Sequence, residues 1–198
     1  MRAIVTSPEF FSPAAYRAKV RTPFEYEAAA LRALNAESDA DPAVVDWARR
    51  MGQPAFGRLT PDGFPDRADR WLSTGSLLER LNFAVVLAAN RLKGTKIDVP
   101  ALLAGANPVD KSAVAARLMR LTLLGDVSSP TRAALEKQLA ESPSASLAMP
   151  AAGGPPSANL ATSFSAASPA VSPAGAAVPA YVPQLITFLI GSPDFQKR

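Results

Sequence analysis

The 198-residue chain contains neither cysteine nor histidine. Without cysteine there are no disulfide staples, no thiolate nucleophile and no thiolate ligands for zinc or iron–sulfur clusters. Without histidine, Ser-His-Asp triads, Cys-His dyads and histidine-rich transition-metal sites are excluded as well. Chemistry is left to carboxylates, Lys, Arg, Tyr and hydroxyls, and no cofactor is expected. Long apolar runs are also missing. The longest, Phe83 to Ala89 and Leu185 to Ile190, fall far short of the ~20 residues of a membrane span. The first eight residues lack the apolar core and small-residue cleavage site of a signal peptide. Alternating runs of β-branched residues are short, and 19 prolines would interrupt any ladder. The 21 basic residues exceed the 17 acidic ones by four. They are scattered rather than gathered into a stripe, so no nucleic-acid partner is expected.

What the sequence does have is apolar content, 48% of residues, enough for one real core. It also has repeated punctuation: Ser, Thr, Asp or Asn, then Pro, then an apolar-periodic run, the pattern of an N-cap followed by proline at the first helical position. Thr22-Pro23 opens a helix with Glu25 completing a capping box, and Phe24, Ala28, Leu31 and Leu34 fall on one stripe. Asp41-Pro42 opens another through Val44, Trp47, Ala48 and Met51, with Gly52 placed to end it in the left-handed conformation. From about Ser73 to Asn90 runs the longest helix. Leu77, Leu78, Leu81, Val85 and Ala88 share one face, and Phe83, Val86 and Leu87 fill the others, which predicts a central helix buried all round. Asn107-Pro108 starts a helix carrying Val114, Leu118 and Leu121, with Gly125 as its stop, and Ser129-Pro130 starts one bearing Leu135 and Leu139. A last helix spans about Pro183 to Ile190. The fold class is all-α, an irregular multi-helix bundle with a long structured loop.

Residues 142–180 differ in kind, because 31 of the 39 are Ala, Pro, Ser or Gly. Such a composition buries too little to offset its ordering entropy and reads as a disordered Ala/Pro/Ser-rich linker. The expected organisation is therefore a helical domain over 1–141, the linker over 142–180, and a terminal helix over 181–198 that packs back on the domain. Ser-Pro-acid-Phe occurs near both ends, as Ser7-Pro8-Glu9-Phe10 and Ser192-Pro193-Asp194-Phe195, each after an apolar run. It is either a common helix start used twice or a mark of two equivalent helix pairs, and in both cases Phe10 and Phe195 are expected to be buried anchors. The few residues before Thr6 are too short to form a stable helix alone. They read as the end of a helix that has been cut, leaving an uncovered apolar face prone to association.

Between the Trp47 helix and the long helix lie about twenty residues, 52–71, of irregular chain, long for a connection inside a domain and so the candidate binding loop. Its Asp62, Asp66 and Asp69 offer oxygen ligands for a hard cation such as calcium. The spacing is not that of a calcium loop, Arg67 and Arg70 compete for the same carboxylates, and no metal is expected. Phe56, Phe64 and Trp71 would make a stacking platform for a glycan or peptide, or else fold inward and pin the loop. Gln53, with Asn82, is an amide beside an apolar run, suited to satisfying loop backbone. Arg49 and Arg50 form a solvated face near a helix C-terminus.

The run Gly-Gln-Pro-x-Phe from Gly52, Pro61-Asp62-Gly63-Phe64-Pro65, and Trp71 through Ala84 resembles the C-terminal signature of the bacterial DUF1800 family, proteins of unknown function. Thr6 to Phe11, Lys19 to Pro23 and Ser192 to Gln196 resemble it too. The matches cover about 1–141 and 181–198, and the Ala/Pro/Ser-rich segment departs from the pattern. The resemblance implies a C-terminal piece of a larger, exported protein, periplasmic or extracellular, although this chain carries no signal peptide. It supplies no catalytic residues. The expected role is a non-catalytic helical scaffold whose partner is the N-terminal region of the larger protein or another protein. The alternatives are a carboxylate-based hydrolase in which two of the loop acids converge, and a glycan- or peptide-binding module using the loop.

Overall fold

Side-chain caps decide where several of the helices begin. The computed structural model describes residues 2–140 and 178–197. Among them are nine helices and two short strands: α1 Arg2–Val5, α2 Pro23–Ala33, β1 Glu37–Ser38, α3 Pro42–Arg50, α4 Ala68–Trp71, α5 Thr74–Ala88, β2 Thr95–Lys96, α6 Val99–Leu102, α7 Lys111–Leu123, α8 Ser129–Ala140 and α9 Tyr181–Gly191. The fold is helical, as expected. The Ala/Pro/Ser-rich segment expected over 142–180 lies outside the described residues except for 178–180.

Thr22 and Glu25 form the predicted capping box at α2: the Thr22 N–H donates to Glu25 Oε2 at 2.9 Å, and the Glu25 N–H donates to Thr22 Oγ1 at 3.4 Å. Asp41 caps α3 by accepting from the Ala43 N–H at 2.8 Å, and Gly52 beyond it has φ +100°, the left-handed conformation its placement implied. Asn107-Pro108, by contrast, does not start a helix. It makes a turn in which Asn107 Oδ1 accepts from the Val109 N–H at 3.0 Å, and α7 begins three residues later, where Asp110 accepts from the N–H groups of Ser112 at 2.9 Å and Ala113 at 3.2 Å. Two orphan donors on one carboxylate make Asp110 the stronger cap.

The core forms where α5 and α7 receive α9. Val182, Leu185, Ile186, Leu189 and Ile190 of α9 are buried, together with Val114 and Leu118 of α7 and Phe83, Ala84 and Leu87 of α5. Three rings tie α2 and α3 to this centre: Tyr26 and Trp47 pack on Phe83 at centroid distances of 6.0 and 5.8 Å, and Phe195 meets Tyr26 edge-on at 5.7 Å. The strands pair antiparallel, Glu37 opposite Lys96 and Ser38 opposite Thr95, and close the chain between α2 and α6.

Two helices sit on different faces from those the pattern predicts. On α2 the buried stripe is Tyr26, Glu27, Ala30 and Leu34, while Phe24 is exposed. On α5 the buried residues are Ser76, Arg80, Phe83, Ala84, Leu87 and Ala88; of the predicted face only Ala88 is buried, while Leu77, Leu78, Leu81 and Val85 face outward, so the helix is not buried all round. In both cases a charged residue, Glu27 or Arg80, holds a core position.

Candidate functional site

In the loop over 52–71, whose last four residues form α4, the candidate residues separate into inward and outward groups. Gln53 turns back to α2, its Oε1 accepting from the Phe24 N–H at 2.9 Å and satisfying a donor of the first turn. Trp71 is buried, with Nε1 donating to the Pro65 carbonyl at 3.0 Å, and the half-buried Phe64 ring lies 6.0 Å from it. These two rings pin the loop, while Phe56 stands fully in solvent with φ +56° beside an equally exposed Leu59. The three carboxylates go to three separate cations: Asp62 to Arg58 at 3.1 Å, Asp66 to Lys19 at 2.5 Å and Asp69 to Arg67 at 3.1 Å, all on the surface. The Thr60 hydroxyl and then Arg58 hold the Asp62 carboxyl below its ordinary range, the opposite of what a general acid requires. Among the described residues no group of three or more acidic side chains is placed to hold a metal ion. Arg49 and Arg50 likewise pair with Asp46, at 2.6 and 2.8 Å.

A polar node that the sequence did not announce lies under the C-terminal tail. Arg80 is fully buried; Nη1 donates to Gln196 Oε1 at 2.6 Å, Nη2 donates to the Arg21 carbonyl at 2.8 Å, and the guanidinium lies 5.1 Å from the Tyr26 ring centre. The Tyr26 hydroxyl reaches the carbonyls of Arg80 at 3.1 Å and Ile190 at 3.3 Å. Burial pushes the Tyr26 phenol up and the Arg80 guanidinium down, and Coulombic attraction to the Tyr26 phenol oxygen opposes the second shift. The Arg21 guanidinium covers the Phe195 ring at 4.5 Å, and the Arg21 N–H donates to the Gln196 carbonyl at 2.8 Å, so the tail is sewn to the segment before α2. This node is structural: the cation is held by two neutral acceptors and a ring, while Arg80 Nε is left buried without a hydrogen-bond partner. Its signal in the sequence is faint: continuing the Leu87, Ala84, Phe83 stripe backward along α5 reaches Arg80 and Ser76.

The outward face of α5 is the larger surprise. Leu78 is 54% exposed and Leu81 45% exposed, with Leu77, Val85 and the preceding Leu72 also open to solvent. Two apolar grooves flank Leu81. One, of about 420 Å³, lies towards α8 and α9 between Leu81, Ala134, Gln138, Phe188 and Pro193. The other, of about 360 Å³, lies towards the tail between Leu72, Leu77, Leu81, Pro193 and Lys197. Both are within the size range of ordinary ligand clefts. Gly191 makes the divide possible, because a Cβ there would lie 2.7 Å from Leu81 Cδ2. Leu81 can therefore lean over the α9 backbone and form the ridge between the grooves.

The chain belongs to the DUF1800 family, described as proteins of unknown function, whose model matches residues 1–197 and so runs across the Ala/Pro/Ser-rich segment as well as the helical parts. Neither a curated protein nor a solved structure matches it.

Proposed function

We propose that this chain is a non-catalytic helical scaffold that docks another polypeptide on the outer face of α5. The observation that carries this reading is the exposed stripe of Leu77, Leu78, Leu81 and Val85, with two apolar grooves meeting at Leu81. Contiguous exposed apolar surface of this kind is costly to leave in water and marks interaction sites. The buried polar groups of the node are engaged in holding the tail, and the loop acids each answer a neighbouring cation. Both features suit a rigid support better than a reaction centre. A second reading, peptide or glycan binding by the loop, rests on the exposed Phe56 and Leu59 alone.

The test is site-specific photo-crosslinking in cells that make the chain, with a photoreactive phenylalanine analogue at Leu78 and, as control, at the exposed Ala116 of α7. The expected result is a covalent polypeptide adduct at Leu78 and not at Ala116, lost when Leu81→Glu is added without change in the circular dichroism melt. Equal adducts at both positions, or none at Leu78, would overturn the reading.

A further inference from the structure

The repeated Ser-Pro-acid-Phe motif builds the same turn at both places. The Phe195 N–H donates to Ser192 Oγ at 3.3 Å and to the Ser192 carbonyl at 3.1 Å; the Phe10 N–H donates to Ser7 Oγ at 3.3 Å and to the Ser7 carbonyl at 3.2 Å. Each turn follows a helix end, α9 in one case and α1 in the other. Their surroundings differ. Phe195 is buried between Tyr26 and Arg21, and Asp194 accepts from the Ser128 N–H at 2.9 Å at the start of α8. Phe10, expected to be a buried anchor, is instead 50% exposed; it packs edge-on against Phe11 at 5.0 Å, and Phe11 is 74% exposed. A formed turn with two exposed rings and the exposed acid Glu9 is shaped as a ligand for an apolar groove with a cation at its rim.

The groove between Leu72, Leu77 and Leu81 has those properties, with Lys197 on its edge. We propose that the Ser7–Phe11 turn of one copy docks into this groove of a second copy, with Phe10 and Phe11 entering between the leucines and Glu9 facing Lys197. This rests on the reading of the α5 face as a docking surface and names its occupant. The incoming turn would lie beside its structural twin at Pro193. Reciprocal exchange between two copies closes a two-fold dimer, whereas a one-way contact would propagate. The charges are opposite in sign, and the apolar parts match in the rings offered and the leucines that receive them.

The full chain in sedimentation velocity, over a concentration series at low salt, provides the test. The parent chain is expected to dimerise, and Phe10→Ser with Phe11→Ser to abolish the dimer while the far-ultraviolet spectrum is unchanged, since both rings are exposed. Glu9→Lys and Lys197→Glu are each expected to weaken association by roughly two- to fivefold, and the double charge swap to restore it. Because the chain lacks cysteine, a mixture of Phe11→Cys and Leu77→Cys chains is expected to form a disulfide-linked pair faster than either alone. A monomer at every concentration, or a dimer indifferent to Phe10 and Phe11, would overturn the proposal. If that result is accompanied by a Leu78 adduct to a different polypeptide, the docking reading survives and only the occupant is wrong; with no Leu78 adduct, both fall.

Discussion

Glu27 carries a pH dependence that can be worked out in advance. Its side chain is 3% exposed and Oε1 has no hydrogen-bond partner. Burial raises its carboxyl from 4.5 to about 8, because the charged form is the one that desolvation penalises. The folded state therefore binds this proton more tightly than the unfolded chain does. Its contribution is fully present below the unfolded value, is lost progressively as pH rises above it, and is gone once pH passes the folded value. A rise from 4.5 to about 8 at about 1.4 kcal/mol per pH unit sets an upper bound of roughly 5 kcal/mol, a large share of a typical domain's stability. Glu27→Gln keeps the shape and removes the ionisation. In urea titrations across the pH range, the variant and the parent are expected to be nearly equal near about pH 4, and the variant is expected to gain steadily until about pH 8, then hold its lead. A difference that stays constant from about pH 5 to about pH 9 would refute the reasoning, since it would mean that Glu27 ionises with no change in environment on folding.

Two further substitutions test the packing. Trp71→Ala removes a buried ring together with its hydrogen bond to Pro65 and its contact with Phe64. It is expected to cost about 3–5 kcal/mol in urea unfolding, whereas Phe56→Ala in the same loop leaves the midpoint unchanged; equal effects would mean that the loop rings do not divide as described. Gly94→Ala is expected to cost at least about 2 kcal/mol. Gly94 has φ +67°, and a Cβ would strike the Asp39 carboxylate and lie 2.6 Å from Asp41 Cβ, beside the β1–β2 pairing; a thermal melt matching the parent would contradict this.

Much of the helix punctuation was legible because it is local. The Thr22 box, the Asp41 cap and the left-handed Gly52 each depend on residues within a few positions of one another, and the buried Leu135 of α8 follows from periodicity alone. The Asn107-Pro108 reading failed on equally local grounds, because a better cap stood three residues on. The faces of α2 and α5 failed for a different reason. A binary pattern places leucine inside and arginine outside, yet Arg80 finds its acceptors on Gln196, 116 residues away, and on Arg21, 59 residues away. Once those partners hold the two Nη groups, Phe83, Ala84 and Leu87 turn inward with the cation and Leu77, Leu78 and Leu81 are left in solvent. The candidate loop divides along the same line. Trp71 could be read as anchor or as platform, and the deciding contact is a backbone carbonyl whose position no pattern supplies.

The twin turns show that local geometry does not decide what a motif does. Ser7 and Ser192 accept the same hydrogen bond from the phenylalanine three residues on, at the same 3.3 Å, so the turn is encoded locally in both. Burial is not. Phe195 is inside because Tyr26, Arg21 and the Arg80–Gln196 pair build a receptor around it, and Phe10 is half exposed, with Phe11 as its ring partner among the described residues. The residue that closes the tail receptor, Arg80, also rotates α5 and so exposes Leu77, Leu78 and Leu81. One buried cation thus fixes the tail in its own chain and, beside that tail on the same helix, leaves exposed the apolar surface on which a second such turn can be received.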